Sequence, residues 1–147
     1  MGQLQTLIEE FLHNMGIQNP QVSAVFLGTA AKIQISLDDA GFMIGKNGEN
    51  ISDIERVLKL LAKHSNIDTV FSIDINNYRS EREGKLKEYI RKIARQVVTT
   101  KKEVRLPPMK PFERRIIHLE LAVHPDIITE SKGEGDNRYV TIRPYNP

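Results

Sequence analysis

Arg114 and His118 stand four residues apart in the stretch PMKPFERRIIHLEL. On a helix that spacing puts both side chains on one face, within reach of a common ligand. A guanidinium presents a planar fork of N–H donors, and an imidazole presents a ring N–H whether charged or neutral, so the pair suits a phosphate. Ile116, Ile117, Leu119 and Leu121 serve the core of the same helix. Arg115 lies about 100° round from Arg114, in a supporting phosphate or salt-bridge role. Lys110 and Arg138 can extend the basic patch.

A second constellation is Gly45-Lys46-Asn47-Gly48. Two glycines remove the Cβ atoms that would keep a phosphate backbone away from the main chain. Lys46 adds a cation, and the helix that follows offers unpaired N–H groups and the positive end of its dipole. A tight turn before a helix would use the same residues, so the spacing alone does not decide. Glu49 and Asp53, close by, oppose a deep approach of phosphates on that side. The Walker pattern needs a longer loop ending in Lys-Ser/Thr, which GKNGENIS does not supply, so ATP binding is discounted.

Other chemistries lack their residues. His13, His64, His118 and His124 lie in different elements without metal-ligand spacing, and the chain has no cysteine, which removes thiolate sites and disulfides. No G-x-S-x-G nucleophile signature occurs. A nuclease built from Glu113, Glu120 and His118 is the conceivable enzyme. The expectation is instead a binding protein with no catalytic residues, cofactor or metal.

These residues need elements to hold them. Leu4, Leu7, Ile8, Phe11, Leu12 and Met15 recur at helical spacing, and Gly16 ends that helix. Val22, Ala24 and Phe26, then Ile33, Ile35 and Leu37, alternate as strands about Gly28-Thr29. A short helix over 40–44 leads to the glycine loop. Ile51, Ile54, Val57, Leu58, Leu61 and Ala62 then make a helix over 49–64 with one apolar face. The β-branched run 69–75 closes this unit as a strand. A long basic helix follows from Tyr78 to about Thr99. Beyond it come a short strand over 104–106, a helix over 112–123, and strands over 127–129 and 139–142 flanking the turn KGEGDN. The fold class is α+β, two small domains in tandem with boundaries at 1–76 and 77–147.

At 147 residues, with 27% charged and 39% hydrophobic residues, the composition suits a folded chain. The formal net charge of +2 hides an asymmetry. Residues 1–75 carry 5 Lys/Arg against 9 Asp/Glu, and residues 76–147 carry 16 against 10. That distribution points to a polyanionic partner held mainly by the second half. The long helix interleaves its bases with Glu81, Glu83 and Glu88, so part of its charge is self-neutralised. The N-terminus lacks the basic start of a signal peptide, and no stretch approaches the ~20 apolar residues of a membrane span. The expected setting is cytoplasmic.

The order helix, strand, strand, helix, GKNG, helix, strand resembles a K-homology (KH) domain of type II, bacterial topology, whose loop clamps about four nucleotides of a single strand. By that resemblance Gly45, Lys46, Asn47 and Gly48 are the clamp, and Ile44, Ile51 and Ile54 help shape a groove for bases. Tyr78-Arg79 opening a basic helix, then PPMKPFERRIIH, a glycine-bearing loop and RYVTIRP resemble the single-stranded nucleic-acid-binding domain named for its Arg-x-x-x-His motif (R-3-H), over roughly 78–144. Together they are similar to the bacterial Jag (SpoIIIJ-associated) proteins, which join the two domains directly. The resemblance implies a cytoplasmic single-stranded RNA binder, with single-stranded DNA an open alternative, acting after transcription and linked to cell elongation and division. It also implies a small KH-domain protein partner or a homodimer; a pairing adaptor for which RNA is secondary is the competing reading. Two departures stand out: no room for an N-terminal Jag domain, and a glycine loop less basic than usual.

Overall fold

A computed structural model describes residues 2–146 and divides the chain into two compact units, Met1–Ser80 and Glu81–Pro147. In the first, helix α1 (Gly2–Asn14) ends where Gly16 takes a positive φ and Ile17 donates back to the Leu12 carbonyl at 3.0 Å. Strands β1 (Gln21–Leu27) and β2 (Ala30–Ser36) form an antiparallel hairpin around Gly28-Thr29, with Leu27 opposite Ala30. Strand β3 (Val70–Ile75) pairs parallel to β2. A parallel neighbour requires a crossover. Here α2 (Gly41–Ile44), a single 3-10 turn at Lys46–Gly48, and α3 (Glu49–His64) supply it. The sheet order is β1-β2-β3, and the core gathers Leu4, Ile8 and Leu12 with Ile33, Ile35, Ile51, Leu58 and Ile73.

Helix α4 (Tyr78–Thr100) starts in the first unit and continues in the second. There follow β4 (Val104–Arg105), α5 (Pro111–Leu121), β5 (Ile127–Lys132), a 3-10 turn at Gly135–Asn137 and β6 (Tyr139–Pro144). The sheet is antiparallel in the order β4-β6-β5. Its core joins Ile90, Ala94 and Val97 of α4 to Ile117, Leu121, Val140 and Ile142. Both units are α+β, as expected. Among the described residues no helix is long and apolar enough to cross a membrane.

The division lies four residues beyond the expected 76/77 boundary, and Asp74 is the reason. Its carboxylate is 1% exposed. It accepts from the Arg79 N–H at 2.9 Å, the Ser80 N–H at 3.2 Å and the Ser80 hydroxyl at 3.1 Å. A buried charge needs such donors, so the first turn of α4 is tied to the first unit. Arg79 strengthens the tie by donating to Glu55 at 2.6 Å and to the Ile73 carbonyl at 2.9 Å. Burial alone would push the Glu55 carboxyl up, but donation from Lys59, the Ile73 N–H and Arg79 outweighs it and holds the group below its usual value.

Candidate nucleic-acid interface

Helix α5 begins with Pro111 at its first turn, where a missing N–H costs nothing. Glu113 reaches back to accept from the Lys110 N–H at 3.1 Å, fixing the start of the helix, and its other oxygen takes Arg82 at 3.0 Å. Ile117 and Leu121 face the core. Arg114 and His118 are partly buried on a neighbouring face, and β5 lies alongside it. Strand alternation sends Ile127, Thr129 and Ser131 toward the helices, since the cross-strand partners of Thr129 and Ser131, Ile142 and Val140, are core residues.

The contacts follow from that register. His118 Nδ1 lies 2.7 Å from the Thr129 hydroxyl. Arg114 donates to the Ser131 hydroxyl oxygen at 2.9 Å, and Arg138, just before β6, donates to the same oxygen at 3.1 Å. Two guanidinium groups thus converge on one neutral atom. No carboxylate pairs with either among the described residues, and the Nε–H of each is buried without an acceptor. Like charges drawn together in a partly desolvated place favour an anion between them. Burial lowers the His118 pKa, and the Arg114 charge lowers it further. The imidazole is therefore neutral at neutral pH, with Nδ1 and the Thr129 hydroxyl sharing a hydrogen bond and Nε2 left for a ligand.

The structure brings Arg114, His118 and Arg138 together. Lys110 adjoins them, because the Met109 N–H donates to the Arg138 carbonyl at 3.0 Å, and its side chain is exposed. Arg115 is exposed on the flank of α5. Sequence reasoning missed Thr129 and Ser131. Their signal is the two-residue alternation of ITESK opposite the apolar side of β6. Glu113 and Glu120, the carboxylates of the nuclease alternative, are each held in an ion pair, with Arg82 at 3.0 Å and with Arg91 at 2.6 Å.

In the first unit the GKNG loop differs from expectation in its physics. Gly45 and Gly48 have φ of 71° and 75°, a region other residues rarely adopt. A Cβ on Gly45 would stand 2.5 Å from the Asn50 side chain, and one on Gly48 would stand 2.8 Å from the Tyr78 ring. The space freed by each glycine is thus already filled by the protein itself. Asn50 is locked there by donating to the Phe42 carbonyl at 2.6 Å. The Gly48 N–H is directed to the Gly45 carbonyl at 3.4 Å, and the Glu49 N–H to that of Lys46. What the loop offers outward is Lys46 and Asn47, both exposed at the tip. Ile51 is buried, while Ile44 and Ile54 pack against the core, so these three act first as packing.

The family model of the R-3-H domain matches residues 84–144. The chain is 35% identical over 124 residues to the RNA-binding protein KhpB of Clostridium symbiosum, covering 82% of this chain and 56% of that protein. It is 35% identical over 114 residues to KhpB of Bacillus subtilis, covering 76% and 55%. With KhpB of Streptococcus pneumoniae it shares 26% over 147 residues, 97% of this chain and 42% of that one. The chain therefore spans about half the length of the curated relatives it matches.

Proposed function

From the premise that this is a Jag-like chain carrying an R-3-H domain over residues 84–144, we propose that it binds single-stranded RNA. Arg114, Arg138 and His118 hold phosphates in that reading, with Lys110 and Arg115 at the margin. The observation that carries this is the convergence of Arg114 and Arg138 on Ser131 with no carboxylate against either among the described residues. An ordinary structural arginine at this depth is paired; two that share a serine leave a place for an anion. The relatives' name, RNA-binding protein, supports RNA over DNA.

The first unit acts as a KH-like domain in the same reading. Its helix, strand, strand, helix, GxxG, helix, strand order and its one parallel strand pair support this. Lys46 and Asn47 meet the strand at the loop tip. The ion-paired state of Glu113 and Glu120 favours a binder over a nuclease. The cellular role we assign is post-transcriptional regulation in the bacterial cytoplasm, linked to elongation and division.

Titration with a short single-stranded RNA at several salt concentrations tests the reading, because neutralised phosphates release counterions and the affinity must fall as salt rises. Absence of binding at low salt would sink it; strand scission would restore the enzyme. One observation favours a second reading, an adaptor that pairs with a KH-domain partner or a second copy. The edge strand β1 exposes Val25, Phe26 and Leu27 at 54%, 54% and 67%, more apolar surface than an idle edge carries.

A further inference from the structure

The second sheet has two faces, and the helices cover one. Val140 and Ile142 are buried beneath α4 and α5, so the alternation of β6 places the half-buried Tyr139 and Arg143 on the other side, with Thr141 buried between them. Arg105 joins them from β4 as the cross-strand partner of Thr141. Its guanidinium carbon lies 3.9 Å from the centre of the Tyr139 ring, stacked upon it. Two of the acids near this face are paired, while Glu134 and Asp136 stand exposed in the turn before Tyr139. Glu130 and Glu103 both lie near the Lys132 ammonium, at 3.7 and 3.9 Å. Arg105 is exposed and Arg143 half-buried, and neither meets a carboxylate among the described residues. Asp126, opposite the exposed Tyr145 where the ladder runs on, confines the cationic part of the face to its Tyr139 end.

We infer that the stack of the exposed Arg105 on Tyr139 is a base-stacking platform for single-stranded RNA, with Arg143 taking a phosphate. The inference rests on the proposed function and extends it from phosphates to bases. A guanidinium already laid on an aromatic ring offers its second plane to a base, and both planar cations and rings accept any base without reading its edges. Position supports the assignment as strongly as composition. Arg138 and Tyr139 are consecutive, and their side chains leave the chain on opposite faces of the sheet. A strand whose phosphate sits against Arg138 can place a neighbouring base at the start of β6, beside Tyr139. The two faces thus meet at the end of the sheet that the turn at Gly135–Asn137 closes.

The test uses the full chain, a short single-stranded RNA carrying 2-aminopurine, and an abasic strand of the same length. Arg105→Lys keeps the charge and removes the plane; Tyr139→Leu keeps the apolar bulk and removes the ring. Each variant is expected to melt as the parent does, to bind the RNA about tenfold more weakly and to lose the quenching of 2-aminopurine, while the abasic strand binds parent and variants alike. Native melting with parental affinity and quenching overturns the inference. Where Tyr139→Leu melts early, Arg105→Lys at its exposed position decides. Failure of the parent to bind RNA at all removes the premise. Loss of binding in Arg114→Ala alongside unchanged binding in Arg105→Lys removes this inference alone, and quenching replaced by tight binding of an acidic peptide would reassign the face to a protein.

Discussion

Ser131 is the atom-sized centre of the candidate site, because its hydroxyl oxygen accepts from two arginines at once. Replacing it separates charge from position. Ser131→Asp places a carboxylate where a phosphate is expected, so thermal stability should rise, by about 1 kcal/mol for a partly exposed charge-assisted pair, while RNA affinity falls. A shared direction of change in melting and binding would show that the arginines serve the fold. Arg114→Ala should weaken RNA by roughly ten- to a hundredfold, the equivalent of ~1.5–3 kcal/mol for a hydrogen bond to a charged group, with the melting temperature little changed. His118 adds a pH dependence whose sign is set by its lowered folded pKa. As pH falls through the ordinary histidine range the unfolded chain takes up its proton first, so the free protein loses stability there. A phosphate against Nε2 raises the pKa in the complex, so affinity should increase over the same interval. His118→Gln should flatten that increase, as read from titrations at pH values on either side of about 6.5.

Elements decide which of these residues meet. Helix α5 was legible because its apolar residues recur at helical spacing, and Arg114 and His118 fall on one face by arithmetic alone. The roles of Thr129 and Ser131 were not. Polar residues alternating along ITESK read as a solvent face, and only the register against Val140 and Ile142 turns them toward α5. Strand β5 also runs to Lys132, beyond the expected 129, because β6 pairs with it along its whole length. The glycine loop shows the converse. Its position and the helix after it were readable, but the reason for its glycines lies in Asn50 and in Tyr78, thirty residues beyond Gly48. Gly48→Ala should therefore destabilise the first unit by roughly 1–3 kcal/mol through the positive φ and the crowding with the ring, in urea unfolding without any RNA present. A loss of RNA affinity with unchanged stability would instead restore the open-backbone explanation for this glycine.

At the scale of the molecule, the basic balance of the second half overstates what is available to RNA. Arg82, Lys87, Arg91 and Lys92 each lie in an ion pair with a glutamate, which accounts for several of the sixteen cations counted there. Arg114, Arg138, Lys110 and Arg115 remain for the proposed site. With Lys46 and Arg143 added, six phosphate contacts give a slope of about −4 in log affinity against log salt for a single strand, and a much steeper slope would mean that the helix cations are also recruited. Lys46→Asp with Asn47→Asp should weaken RNA less than Arg114→Ala, since the loop tip offers one cation.

The ties around Asp74 bear on how the chain can be divided for study. A fragment ending at residue 76 would keep the glycine loop and its flanking helices yet discard the Tyr78 ring that fills the space at Gly48 and the Arg79 and Ser80 groups that satisfy a buried carboxylate. Such a piece would unfold more readily, and a poor affinity measured on it would describe the cut rather than the domain. Carrying the fragment through the first turns of the long helix restores all three residues.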